Sequence, residues 1–247
     1  MTKLSVNLNK VALLRNARNI DVPSVTKAAI VCIEAGAHGI TVHPRPDQRH
    51  IHYGDVTELA TLLKDFLNVE FNVEGNPFPE FMEVVRKTRP TQCTLVPDNA
   101  EAKTSDHGWN IAADGTRLKP IIEELKDLGI RISLFMDADV EQIELVPLTG
   151  ADRIELYTES YASAFGTKGE DAEFERFART AEKAQQLNLG VNAGHDLNLR
   201  NLPRFSSIPG ILEVSIGHAL VAEALEMGMK ETVRAYLKIL SKSNAQS

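Results

Sequence analysis

Short runs of Val, Ile and Leu recur along the chain, each followed by a stretch in which apolar residues return every three or four positions. Eight runs read as strands: Leu4–Leu8, Gly39–His43, Val69–Val73, Cys93–Pro97, Arg131–Met136, Arg153–Tyr157, Leu189–Asn192 and Leu212–Ile216. They lack clean alternation of apolar and polar residues, as strands covered on both faces of an all-parallel sheet do. The stretches between them predict helices at Pro23–Ala35, with Asp21 as its cap, and at Val56–Phe66, Pro79–Arg86, Leu118–Leu128, Val140–Leu148, Glu173–Leu187 and Leu220–Leu240. Leu199–Phe205 carries the weakest helical pattern. Gly36, Gly129, Gly150 and Gly228 fall where helices end or bend. Strict alternation over 247 residues, with no linker or compositional break, predicts an α/β fold: one TIM-type (β/α)8 barrel domain spanning residues 1–247. An open, doubly wound sheet is the competing arrangement.

In such a barrel the chemistry sits where strands end, so the polar residues at those ends carry the functional signal. The first strand ends at Asn7, Asn9 and Lys10, with Arg15 and Arg18 close behind. The second ends at His43 and Arg45, then Arg49 and His50; the third holds Glu70, Asn72 and Glu74. The sixth carries Glu155, and the seventh and eighth close on "NAGHD" and "IGHA", which contain His195, Asp196, Gly217 and His218. The strand starts read as bland. One strand ending in histidine is most simply a satisfied core imidazole, but three such strands with two internal glutamates point to acid/base work. The Gly-His pairs fit a phosphate site formed by backbone N–H groups at a helix start, although ordinary strand-to-helix turns read the same way. A metal set of His43, Glu70, His195 and His218 is a rival reading, weakened by the lack of an H-x-H or H-E-x-x-H pair. A Schiff base on Lys10 is another. The segment Glu101–Thr116, with Trp109, reads as a long loop suited to a lid.

Composition narrows the ligands. A net charge of −7 argues against bulk nucleic-acid binding, yet leaves the local cluster of Arg45, Arg49 and His50 as a small-anion site. Cys32 and Cys93 lie far apart in apolar runs and read as reduced core residues of a cytoplasmic protein. The N-terminus shows no signal pattern, and no apolar run approaches a membrane span.

"SVNLNKVALLRNAR", "GITVHPRPDQRHI", "NVEFNVEG", "TLVPD", "ISLFMDAD", "IELYTESYA", "VNAGHDLN" and "SIGHA" occur in this order, and together they resemble the pyridoxine 5′-phosphate synthase family over essentially the whole chain. The resemblance implies a (β/α)8 barrel with extra helices, assembled as a homo-octamer (a tetramer of dimers). It implies condensation of 1-deoxy-D-xylulose 5-phosphate with 3-amino-2-oxopropyl phosphate, without metal or organic cofactor. It further implies that His43 and Glu70 accept protons, His195 donates one and Glu155 stabilises the transition state. Arg45, His50 and Thr104 would contact the deoxyxylulose phosphate; Asn7, Arg18, Gly217 and His218 would contact the amino-ketone phosphate.

Two departures stand out. Asn9-Lys10 replaces the family's usual Asp-His at positions that contact the sugar phosphate. Asp196 follows His195 where many members have glycine, which weakens its use as a backbone phosphate contact, since a carboxylate repels the anion. For the chemistry itself, His43 is expected to switch protonation near neutral pH with little tuning. Glu70 would be pushed up by burial and down by neighbouring cations.

Overall fold

Alternate residues of the strands have opposite characters, and this alternation organises the molecule. In the computed structural model, which describes residues 1–18, 20–99 and 105–243, eight parallel strands close into a barrel in sequence order. They are β1 (Lys3–Asn7), β2 (Gly39–Val42), β3 (Glu70–Gly75), β4 (Gln92–Leu95), β5 (Arg131–Met136), β6 (Arg153–Tyr157), β7 (Gly190–Gly194) and β8 (Ile211–Ile216). The seam closes between β1 and β8, where Lys3 pairs with Glu213 and Val6 with Ile216.

Leu4, Val6, Ile40, Val42, Val73, Leu95, Ile132, Leu134, Ile154, Leu156, Val191 and Val214 are all fully buried. They alternate along the strands with Lys3, Ser5 and Asn7, with Glu70, Asn72 and Glu74, with Gln92 and Thr94, and with Arg153 and Glu155. The polar set faces inward, as hydrogen bonds between non-adjacent strands show. Asn7 reaches Glu74 from β1 to β3, Thr94 reaches Glu155 from β4 to β6, and Asn192 reaches Gln92 from β7 to β4. The strands are thus covered on both faces, as expected, but they do alternate: the apolar side packs under the helices and the barrel interior is polar. Each aliphatic side chain buried beneath the helices stabilises the fold by about 1.5–3 kcal/mol.

The helices are α1 (Asn9–Asn16), α2 (Val25–Ala35), α3 (Tyr53–Leu62), α4 (Pro79–Thr88), α5 (Ile111–Asp127), α6 (Val140–Leu145), α7 (Glu159–Ala164), α8 (Glu170–Gln186), α9 (Leu202–Phe205), α10 (His218–Met227) and α11 (Met229–Ser243). Two were not expected. α1 starts directly after β1, so Asn9 and Lys10 belong to a first helical turn, and α7 precedes α8. Ser24, not Asp21, caps α2 by accepting from Lys27 N–H at 3.2 Å. The stretch Leu220–Leu240 is two helices, broken at Gly228, whose φ of 79° takes the chain out of the helical region. The segment expected as a lid is shorter than its sequence suggested, because α5 begins at Ile111. Trp109 is buried and donates from Nε1 to the Leu95 carbonyl at 2.8 Å. Gly108 lies so close to β5 that a Cβ would sit 2.2 Å from Asp137 N. No helix among the described residues is long and apolar enough to cross a membrane.

Candidate active site

The strands deliver their C-terminal ends to a cavity of about 770 Å³, within the usual range for small-molecule sites. Its lining includes Asn7, Asn9, Lys10, His43, Arg45, His50, Glu155, His195, Asp196, Gly217 and His218, so most residues singled out in the sequence meet there. Three do not. Thr104 lies outside the described residues. Arg18 is exposed and does not line the cavity. Glu70 is the first residue of β3, at the opposite end of the barrel, where it is ion-paired with Lys3 and Arg131. Burial raises the Glu70 carboxyl, but its bonds to those two cations outweigh that and hold it below the ordinary range. Glu70 therefore cannot join His43, His195 and His218 around one metal ion.

His43 follows β2 and is buried; its backbone N–H donates to Asn9 Oδ1 at 2.9 Å. Asn9 thus spends its carbonyl oxygen on orienting the histidine. Burial, and then the nearby Arg45 charge, lower the His43 pKa to about 3, so the ring is neutral at physiological pH. This corrects the expectation of an untuned switch. His50 stands edge-on to His43 with ring centroids 6.3 Å apart, and its Nδ1 accepts from Ile51 N–H at 2.9 Å. Burial first, then His43, Arg45, Lys10 and Arg49, bring its pKa to about 3 as well. Arg45 is 2% exposed, donating to Asp98 Oδ2 at 2.6 Å and to the Asn99 carbonyl at 3.2 Å. Ser105 holds the same Asp98 oxygen at 2.8 Å. Arg49 also lines the cavity and pairs with Asp47.

Glu155 lies on the inner face of β6, 3% exposed. Gly194 makes room for it, since a Cβ there would fall 2.4 Å from Glu155 Oε1. Burial, together with repulsion from Glu213, raises the Glu155 pKa to about 8, so it holds its proton through neutrality. Beyond Gly194 the chain turns sharply, with φ of 87° at His195 and 57° at Asp196. Side chains other than glycine rarely adopt this region, aspartate being among the more tolerant, and such strain gathers at functional sites. The His195 ring packs edge-on against Tyr157, centroids 4.9 Å apart, and its Nδ1 meets Asp196 Oδ2 at 2.9 Å. That contact chiefly holds the Asp196 carboxyl below its ordinary value. The Thr158 hydroxyl donates to the Gly194 carbonyl at 2.7 Å and also touches that of His195. Gly217 precedes α10, and a Cβ on it would press against the Asn7 side chain at 3.1 Å. Gly217 and His218 thus put the start of α10 in the cavity lining, and a helix start is a place that suits an anion.

The sequence reading noted Glu74 on the third strand but gave it no role; it lines the cavity and is 8% exposed. Its signal was two-residue spacing from Asn72 and Glu70 on one strand face. Phe135 and Ser215, also in the lining, carried no signal of their own. The arrangement combines a neutral imidazole, a protonated carboxyl, a second histidine and an anion-attracting rim: a site for moving protons on negatively charged substrates.

Comparison with known proteins shows the family. The sequence model of the family described as "Pyridoxal phosphate biosynthesis protein PdxJ" matches residues 4–242. A pyridoxine 5′-phosphate synthase of Albidiferax ferrireducens is 53% identical over 250 residues, covering 99% of each chain. One from Xylella fastidiosa is 52% identical over 251 residues, covering 98% of this chain and 96% of its own. Among solved structures, 3-hexulose-6-phosphate synthase from Salmonella typhimurium superposes with a TM-score of 0.66 at 14% identity, over 98% of this chain and all of its own, a likeness of fold alone.

Proposed function

The chain belongs to the family of the pyridoxal phosphate biosynthesis protein PdxJ, and from that premise we infer that it catalyses the pyridoxine 5′-phosphate synthase reaction. It joins 3-amino-2-oxopropyl phosphate to 1-deoxy-D-xylulose 5-phosphate in vitamin B6 biosynthesis, releasing phosphate and water. The observation that carries this reading is identity of 53% over 99% of a relative that bears this name, in a chain whose barrel mouth gathers His43, Glu155 and His195.

Condensation of an amine with a ketone, loss of phosphate, ring closure and loss of water all move protons. Neutral His43 is ready to accept one, and Glu155, still protonated at pH 7, is ready to give one. His195, on its strained turn, is the second donor. Two phosphates need two anion sites. Arg45, Arg49, Lys10 and His50 line one side of the cavity, and the Gly217-His218 start of α10 supplies another. No metal or organic cofactor is needed for these steps. Lys10 acts as a charge, not as a Schiff base. Assembly into a homo-octamer of four dimers, and a cytoplasmic location, belong to the same proposal; exposed Leu13, Leu14, Ile20 and Val22 form an apolar stretch suited to subunit contact.

Incubating the protein with both substrates tests the reading. Pyridoxine 5′-phosphate absorbance and stoichiometric phosphate should appear together and survive EDTA. A chain that binds both phosphates without forming product would instead be a binding barrel.

A further inference from the structure

We propose that Asp196 is the positioning residue of His195: its carboxylate binds the imidazole at Nδ1 and so makes Nε2 the nitrogen that gives the proton to the substrate. The inference deepens the synthase reading and rests on it.

Consecutive side chains on an extended strand point to opposite faces and do not meet. His195 and Asp196 directly follow β7, yet their side chains are hydrogen-bonded, Nδ1 to Oδ2 at 2.9 Å. The positive φ at both residues, 87° and 57°, turns the backbone so that the two side chains come together. Such strain persists where the surroundings hold it in place. Here three successive carbonyls are gripped. The Thr158 hydroxyl bonds to those of Gly194 and His195, and Asn201 Nδ2 donates to that of Asp196 at 3.1 Å. Asn201 is 1% exposed and is itself tied down. Its Oδ1 accepts from Asn198 N–H at 2.8 Å, and its carbonyl accepts from the Tyr161 hydroxyl at 2.9 Å.

The ring is fixed as well as the backbone. Tyr157 stands edge-on to the imidazole and packs in turn on Phe135, centroids 5.3 Å apart, which blocks the ring on the β6 side. Lys10 on α1 and His218 on α10 also attract the Asp196 carboxylate, but among the described residues neither forms an ion pair with it; its side-chain bond goes to His195. That bond keeps the acceptor ionised across neutral pH. An imidazole whose Nδ1–H is bound by a carboxylate presents Nε2 on its opposite edge. Both residues line the cavity, so a bound substrate displaces water from the pair and strengthens the contact.

The step balances without any co-reactant. The proton on Nε2 passes to the substrate hydroxyl that departs as water, and the N–H bonding pair stays on Nε2. The oxygen leaves with the C–O pair. Nδ1 keeps its proton on Asp196 throughout, so the neutral ring is left in one tautomer, and Nε2 takes its proton back from solvent before the next turnover.

Glycine separates this role from a merely electrostatic or structural one. It adopts a φ of 57° freely, so Asp196→Gly removes the carboxylate and leaves the turn unstrained. Asp196→Asn keeps the shape and tolerates the same φ, but its amide bonds to either tautomer. In the full chain both variants should lower kcat by at least about 10-fold, with KM for both phosphates no higher than in the parent and the melting temperature held. In nitrogen–proton correlation spectra of histidine-labelled protein in alkaline buffer, the His195 ring, assigned with His195→Gln, should carry its proton on Nδ1 in the parent and shift toward Nε2 in D196G. A carboxylate that only repelled the phosphates would give the opposite result, a lower KM at full kcat, and that overturns the proposal. So does an unchanged tautomer in D196G, or early melting of both variants, which would make Asp196 part of the scaffold. A parent protein that forms no product overturns the synthase reading and this role with it, whereas an active parent with an equally active D196G overturns only this assignment.

Discussion

The two ends of the barrel interior are built from the same strands and the same kinds of residue, yet they treat charge in opposite ways. At the foot, Glu70 is bonded to Lys3 and Arg131, Arg131 also donates to Gln92 at 2.9 Å, and Arg153 donates to Asn192 at 3.2 Å. Cations and carboxylates there compensate one another in a polar plug. At the mouth, Glu74 and Glu155 face His43 across a cavity, raised by burial and like charge. Glu213 belongs to the foot by position, but burial and Glu70 outweigh Arg153, Arg131 and Lys3 and raise it to about 7. Paired charge in a barrel core is scaffold. Carboxyls kept short of cations are held away from their ordinary protonation, as proton transfer requires.

The sharpest way to break this contrast is to remove one group at each end. His43→Asn should cut kcat by at least about 100-fold with little change in melting. Arg131→Met should do the reverse, costing about 1–3 kcal/mol of stability, less than a fully broken buried pair because Lys3 still faces Glu70, and leaving most of kcat. Rates and denaturant melts on both variants decide the matter. An inactive but stable R131M would make the foot part of the machinery.

A pH series on stability sharpens the contrast next. Glu155 is raised from 4.5 to about 8 on folding. Its contribution is complete below pH 4.5 and is lost as pH climbs through 8. His43 and His50 are lowered from 6.5 to about 3, so their contributions are complete above pH 6.5 and are lost as pH falls toward 3. Glu155→Gln should therefore gain on the parent in melting temperature as pH rises from 5 to 9. His43→Asn should gain as pH falls from 6.5 to 4. Parallel curves for parent and variant would show that neither group is shifted.

Much of this architecture was legible in the sequence. The eight strands were, because their outward Val, Ile and Leu residues must be buried beneath helices. His43, His195 and His218 were, because each closes a strand. The level of each residue along the barrel axis was not, since it depends on how neighbouring strands are staggered. Reading the third strand as Val69–Val73 placed Glu70 inside it and left Glu74 past its end. The observed pairing of Gly39 with Glu70 makes Glu70 the foot of the strand instead. The strand starts looked bland for a related reason: Lys3, Glu70, Arg131, Arg153 and Glu213 are scattered in sequence and become a cluster only when the barrel closes. The Asn9–His43 bond and the positive φ at His195 and Asp196 are likewise products of closure, and α1 was overlooked because "NKVALLRN" reads as the polar end of a strand.

The smallest effect tests whether the plug is graded from its buried side to its exposed rim. The Lys3 side chain is 45% exposed, against 24% for Arg131, although both bond to Glu70. Water screens an exposed pair and leaves its long side chain an entropic cost. Lys3→Met should therefore cost only about 0.2–1 kcal/mol, most of it recovered at high salt. Arg131→Met, deeper and also bonded to Gln92, should respond less to salt. Chemical denaturation at low and high ionic strength compares the two directly. Equal, salt-insensitive losses would mean that the foot is dry throughout, with Lys3 as much a part of the core as Arg131.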